Sequence, residues 1–203
     1  MAFDVLIVGG GVAGMQCALV LGSAKEKPYA EGKKVAIIMH QRSSHLQDAV
    51  FNNVLGVASG TLGKEILTEG KKHLEKTYPH IRQIENEKVL AVFDDEKGYK
   101  IVTNKTEYFS KVVVIALNYS KPFDIVGLEQ YVEPHMRANS MKDRIQLRNF
   151  NHLIKEGLYV CGTIAGWRSQ FAIAAGSGAS VATDILTVWN EHIPTKIHDK
   201  ATN

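Results

Sequence analysis

The sequence predicts an α/β fold with a parallel central sheet and a small antiparallel β-meander. Three observations carry that expectation. An apolar run, Asp4–Val8, ends in a glycine-rich turn that opens into good helix formers; Val35–Met39 is a second buried-type run; and short strand-like runs separated by turn residues fill the stretch from Lys88 to Phe109. Hydrophobic residues make up 45% and charged residues 22% of the chain, ordinary usage for a globular protein. The 203 residues suffice for one domain with a substantial core, so 1–203 is read as a single unit.

Asp4–Val8, Gly9–Gly14 and Met15–Leu21 read in order as strand, tight turn and helix. The polar stretch Ser23–Lys34, with Pro28 and Gly32, then leads to the second strand, completing a βαβ unit with a long connection. From Thr61 to Thr77 the spacing of Leu62, Ile66, Leu67 and Leu74 between charges predicts an amphipathic helix that stops before Pro79. Lys88–Phe93, Tyr99–Thr103 and Glu107–Phe109 predict the meander, and Val112–Ala116 a return to a buried parallel strand. Residues 120–151 are polar, contain Pro122 and Pro134 and lack periodicity, which predicts a loop-rich excursion. Gly157–Gly162 reads as a last strand and turn, followed by a Gly- and Ala-rich helix over Gln170–Trp189.

Gly9-x-Gly11-x-x-Gly14 sits between the first strand and the first helix, where a dinucleotide-binding, Rossmann-like fold needs it. The first glycine permits the turn, the second lets a pyrophosphate approach the backbone, and the third lets helix and strand pack closely. The N–H groups of the opening turn, at Val12 and Ala13, face the phosphate charge. The usual acidic residue at the end of the second strand is missing, since that strand ends Met39-His40-Gln41. His40 or Gln41 either hydrogen-bonds a ribose hydroxyl or stands as an exposed strand end.

Other features are read blandly. The net charge of +3 is scattered without a basic run, which argues against nucleic acid as partner. Val5–Val8 is too short for a signal peptide or a membrane span, so a cytoplasmic location without membrane attachment is the default. Cys17 and Cys161 read as buried reduced thiols, no Cys-x-x-Cys occurs, and the eight histidines lack zinc-site pairing. Trp167 and Arg168 either cap a pocket or pack on the surface.

Gly157-Leu-Tyr-Val-Cys-Gly162-Thr163 and Gln170-Phe171-Ala172-Ile-Ala-Ala-Gly176 resemble the second FAD signature of the thioredoxin reductase and pyridine nucleotide-disulfide oxidoreductase family. The resemblance implies FAD as cofactor and an FAD-binding domain of the two-dinucleotide-binding type, with motifs at 4–41 and 157–189. It implies that Gly162-Thr163 meets the ribityl chain, Thr163 standing where the family has Asp. It also implies that backbone N–H groups of Gln170, Phe171 and Ala172 favour negative charge on the pyrimidine side of the flavin. Asn52–Gly56, with Asn53, is similar to the loop that crosses the flavin; Val89 and Ala116 complete the implied cofactor-binding set. Family members insert a second Rossmann domain for NAD(P)H after the strand that ends here at Ala116, but only about 40 residues separate Ala116 from Gly157.

Two functions follow. One is a flavoprotein oxidoreductase that takes electrons from a separate donor, such as a ferredoxin-like or flavin-dependent protein. The other is a regulatory or binding scaffold that has kept the fold and lost turnover. A homodimer is the third expectation, because the apolar face that the inserted domain would cover must otherwise be exposed. The sequence marks no catalytic acid, base or nucleophile.

Overall fold

The computed structural model describes residues 1–40 and 46–198. In chain order the described elements are β1 (Ala2–Val8), α1 (Val12–Ser23), β2 (Val35–Met39), β3 (Val50–Phe51), β4 (Thr61–Leu62), α2 (Gly63–Thr77), β5 (Arg82–Glu85), β6 (Val89–Asp95), β7 (Gly98–Thr103), β8 (Glu107–Ile115), β9 (Val132–Pro134), β10 (Ile145–Leu147), β11 (Leu153–Lys155), β12 (Leu158–Val160) and α3 (Phe171–Trp189).

The main sheet runs β11-β12-β8-β1-β2-β5, parallel throughout except that β11 is antiparallel to β12. Its strands alternate between two cores. Val5, Ile7, Val35, Ile37, Val114 and Cys161 face the helices, while Leu6, Val8, Ala36, Ile38, Val113 and Val160 face the meander. Burial on both faces explains why these strands read as continuous apolar runs rather than as alternating ones. β6, β7 and β8 form the expected antiparallel meander over the second face.

β8 differs from expectation. Glu107–Phe109 and Val112–Ala116 read as two strands because Ser110 and Lys111 interrupt the apolar pattern, yet they are one. Its first half pairs with β7 and its second half with β12, both on the edge opposite β1. The two neighbours meet end to end at Lys111: a Cβ on Gly98 would lie 2.7 Å from Lys111 Cα, and one on Gly157 would lie 2.9 Å from its carbonyl oxygen.

Other differences are local. Thr61 and Leu62 belong to a two-strand ribbon with Val50 and Phe51 instead of the helix, and Glu65 in the helix's first turn reaches back to accept from Leu62 N–H at 3.1 Å. β5 escapes the sequence reading because only Ile84 of its four residues is buried, as suits an edge strand. The excursion 120–151 carries its own hairpin, β9 with β10, and buries Ile125, Leu128, Ile145 and Leu147 in the meander-side core.

α3 is long and apolar enough by length and composition to cross a membrane. It is nevertheless a core helix of this fold, with Ser177, Gly178, Val181, Ala182, Ile185 and Leu186 buried. Gly178 lets α3 touch α1, since a Cβ there would lie 2.0 Å from the Ala13 carbonyl oxygen.

Candidate functional site

A cleft of about 530 Å³ opens at the carboxyl ends of the parallel strands. In open α/β sheets that is where ligands bind, because helix N-termini and strand-end turns converge there. The wall brings together residues from both ends of the chain: Gly9, Gly11, Val12 and Ala13 from the first turn, and Gly162, Thr163, Gln170 and Phe171 from the last.

Each half is shaped for a ligand. Gly9, at φ +119°, would place a Cβ 2.3 Å from the Ala116 carbonyl oxygen, and Gly14 would place one 1.9 Å from the Gly9 carbonyl oxygen, so both positions exclude side chains for packing reasons. Gly11 is different: a Cβ there meets nothing within 4 Å. Its bare backbone faces the open cleft. Gly11 is also the N-cap of α1 and Gln170 that of α3, and neither helix has a side-chain cap. The first N–H groups of both helices are therefore available to a ligand, at the positive ends of two helix dipoles.

His40 lines the far end of the cleft with Val89. Its Nδ1 is buried without a hydrogen-bond partner in the protein, at the strand end where a nucleotide ribose is expected. Ala116 also lines the wall. Gly14 sits behind the turn as packing, while Asn53 and Ala172 are exposed and do not line the cleft. Gln41 lies outside the described residues.

The structure adds Phe51, which sequence reasoning did not single out. It pairs edge-to-face with the expected Phe171, 5.2 Å between centroids, and both form the wall. The opposite wall is the start of the excursion, Ser120–Ile125, drawn to the meander by Lys88 and Asp124 at 2.7 Å and by Val126, whose N–H and carbonyl bond to β6. The lack of periodicity that marked this stretch as a loop gave no sign of what it would cover.

Trp167 does not reach the cleft wall. It stacks on His152, with centroids 5.8 Å apart, and carries the Arg137 guanidinium on its ring at 4.9 Å. Cys17 and Cys161 are fully buried. Burial pushes the Cys161 thiol up to about 12, and burial together with the neighbouring Cys161 raises Cys17 well above its ordinary range. Neither is a thiolate near neutral pH.

The profile of the pyridine nucleotide-disulphide oxidoreductase family matches residues 3–178. The chain belongs to this family. Solved structures with the same fold include a thioredoxin reductase from Gloeobacter violaceus, with a TM-score of 0.71 at 15% identity, covering 100% of this chain and 99% of that one. A ferredoxin-flavin thioredoxin reductase from Clostridium acetobutylicum gives 0.69 at 16% identity, covering 94% and 99%. The thioredoxin reductase of T. acidophilum gives 0.67 at 15% identity, covering 92% and 98%. At these identities the likeness is one of fold. Comparison with curated proteins returns no match. In this pyridine nucleotide-disulphide oxidoreductase family member, then, a nucleotide-binding fold presents two helix N-termini and a glycine-lined backbone to one cleft.

Proposed function

We propose that the chain binds FAD in this cleft and acts as a flavoprotein oxidoreductase supplied with electrons by a separate donor. The observation that carries the reading is the meeting of the two end motifs: the N-termini of α1 and α3 open onto one cavity. A ligand with a central diphosphate and an extended ring system uses both ends, and the family to which the chain belongs favours a dinucleotide over other anions.

The residues present fit that group. Gly11 leaves room for a diphosphate against the backbone, and the orphaned His40 Nδ1 supplies a polar contact at the adenosine end. Val12 and Ala13 N–H groups would hold the phosphates; Gln170 and Phe171, at the start of α3, would hold the pyrimidine edge of the ring and favour negative charge there. Gly162 and Thr163 would lie along the connecting chain, Thr163 with a neutral hydroxyl. Bound FAD would supply the electron-transfer chemistry, and this chain's residues would bind it, orient it and shield one face with Phe51 and Phe171.

With both thiols buried, a disulfide relay through this chain's own cysteines is not part of the reading. Electrons come instead from a partner protein, and the relative described as a ferredoxin-flavin thioredoxin reductase supports a donor of that kind. Met136, Met141 and Phe150, all more than half exposed on the excursion, are apolar surface available to such a donor or to a second copy.

The test is the visible spectrum of the purified protein and the identity of the released cofactor. Flavin bands that bleach on reduction and return with an acceptor support the oxidoreductase. A colourless protein that cannot be reconstituted with FAD leaves a binding scaffold of the same fold.

A further inference from the structure

A chain of buried polar groups runs directly behind the Gly162–Thr163 turn. Gly162 donates its N–H to Ser177 Oγ at 2.8 Å, and Ser177 Oγ lies 2.9 Å from His152 Nε2. Trp167 Nε1–H, which can only donate, reaches the same His152 nitrogen at 3.0 Å. His152 Nε2 therefore carries the lone pair and Nδ1 the proton. Ser177, which accepts from Gly162, points its own hydroxyl hydrogen at the same Nε2 lone pair and shares it with Trp167. His152 is 7% exposed and Ser177 6%, so water offers neither an alternative partner.

Three segments around the cleft are tied together through this ring and Ser177. The turn after β12 arrives through Gly162, α3 through Ser177, and the segment leading into α3 through Trp167. Ser177 stands less than two turns from Phe171, whose end of the helix opens on the cleft. The backbone that carries the ring is held as well, because His152 N–H donates to Asn149 Oδ1 at 3.1 Å and its carbonyl accepts from Val160 N–H at 2.8 Å.

We propose that His152 and Ser177 are positioning residues for the cofactor: they lock the Gly162–Thr163 turn to the N-terminus of α3, and the lock requires a neutral imidazole, so acid loosens the hold on the cofactor. The proposal rests on the FAD reading above. Protonation would set an N–H on Nε2 against the Trp167 N–H, which can only donate and loses its acceptor, and would turn the Ser177 hydroxyl round to accept from the ring while it still accepts from Gly162.

The surroundings favour the neutral ring. Burial holds His152 below the usual histidine range, and no charged neighbour offsets it. From the excursion come Arg137, over the Trp167 ring and donating to the Gly166 carbonyl at 2.9 Å, and His135. His135 Nε2–H donates to the Thr163 carbonyl at 3.0 Å, while its Nδ1 accepts from Arg137 N–H at 3.1 Å; that first contact survives protonation. α3 has no titratable side chain before Asp184, β12 leads to the buried Cys161, Arg168 is exposed, and Lys155 of β11 pairs with Asp94 at 2.5 Å.

FAD affinity is measured by flavin fluorescence at pH 7.5 and 5.5 for the wild-type protein and for Ser177→Ala, His152→Gln and His135→Gln, with thermal midpoints alongside. The wild type is expected to bind severalfold more weakly at the lower pH, and Ser177→Ala about tenfold more weakly than wild type at pH 7.5 with the pH dependence gone. The His152→Gln amide oxygen can accept from Trp167 and Ser177 without titrating, so this variant keeps affinity at pH 7.5 and loses the pH dependence; His135→Gln retains it. A purely structural role would lower midpoints and leave the pH profile unflattened. Wild-type affinity equal at both pH values, or a dependence that survives in Ser177→Ala, overturns the inference and leaves the FAD reading standing. Failure of the wild type to take up FAD at pH 7.5 overturns both.

Discussion

Two glycines separate binding from stability at the level of single residues. Gly11 faces open space and Gly178 faces the Ala13 carbonyl oxygen at 2.0 Å from where a Cβ would sit. Gly11→Ala is expected to cost less than about 1 kcal/mol of stability, the scale of a helix N-cap change, while filling the space proposed for the diphosphate and lowering FAD uptake at least tenfold. Gly178→Ala must push α1 and α3 apart and is expected to cost about 3 kcal/mol or prevent folding. Thermal midpoints and flavin content of the two variants read the difference. His152 makes stability depend on pH. Burial lowers its folded-state pKa, so the stability it contributes is whole above its unfolded value of about 6.5 and is lost as pH falls through the lowered one. The denaturant midpoint should drop between pH 7 and 5 in the wild type and drop less in His152→Gln.

Among the elements, β1 and β8 are paired on both edges and buried on both faces, whereas β5 ends the sheet and β11 caps the other side. Hydrogen exchange should therefore be slowest at Ile7 and Val113–Ile115 and fastest in β5 and β11. The amide of Val126, bonded to the Leu90 carbonyl at 2.9 Å, should be slow although it lies in a loop-like stretch; exchange at the rate of exposed residues there would refute the described cleft wall. The same contrast explains what could be read from the sequence. Strands buried on two faces are continuous apolar runs, and the Gly9–Gly14 and Gly162–Gly178 stretches carry their packing role in composition. Arg82–Glu85 and Val132–Pro134 are held by backbone pairing with partners elsewhere in the chain, and nothing in their own side chains announces it. Phe51 meets Phe171, and Ser177 meets His152, only through the tertiary fold, so the aromatic wall and the relay behind the turn had no local signal.

On the scale of the whole molecule, both thiols are sealed within the helix-side core. An aromatic disulfide reagent at pH 8 should therefore find no reactive cysteine in the native protein and both after denaturation, since the chain has two. Rapid labelling of the native form would reopen a thiol role. The route of the chain around β8 has a different kind of consequence. β8 ends at the upper edge of the sheet, and β11, running antiparallel to β12, begins at that same edge. Departure and return therefore lie at the same end of the sheet, one strand apart, and the exposed tip of the intervening stretch near Asn139 can accept a longer insert at a closure cost that grows only with the logarithm of length. Chain added at that tip would leave the sheet, and the cleft at its strand ends, as they are.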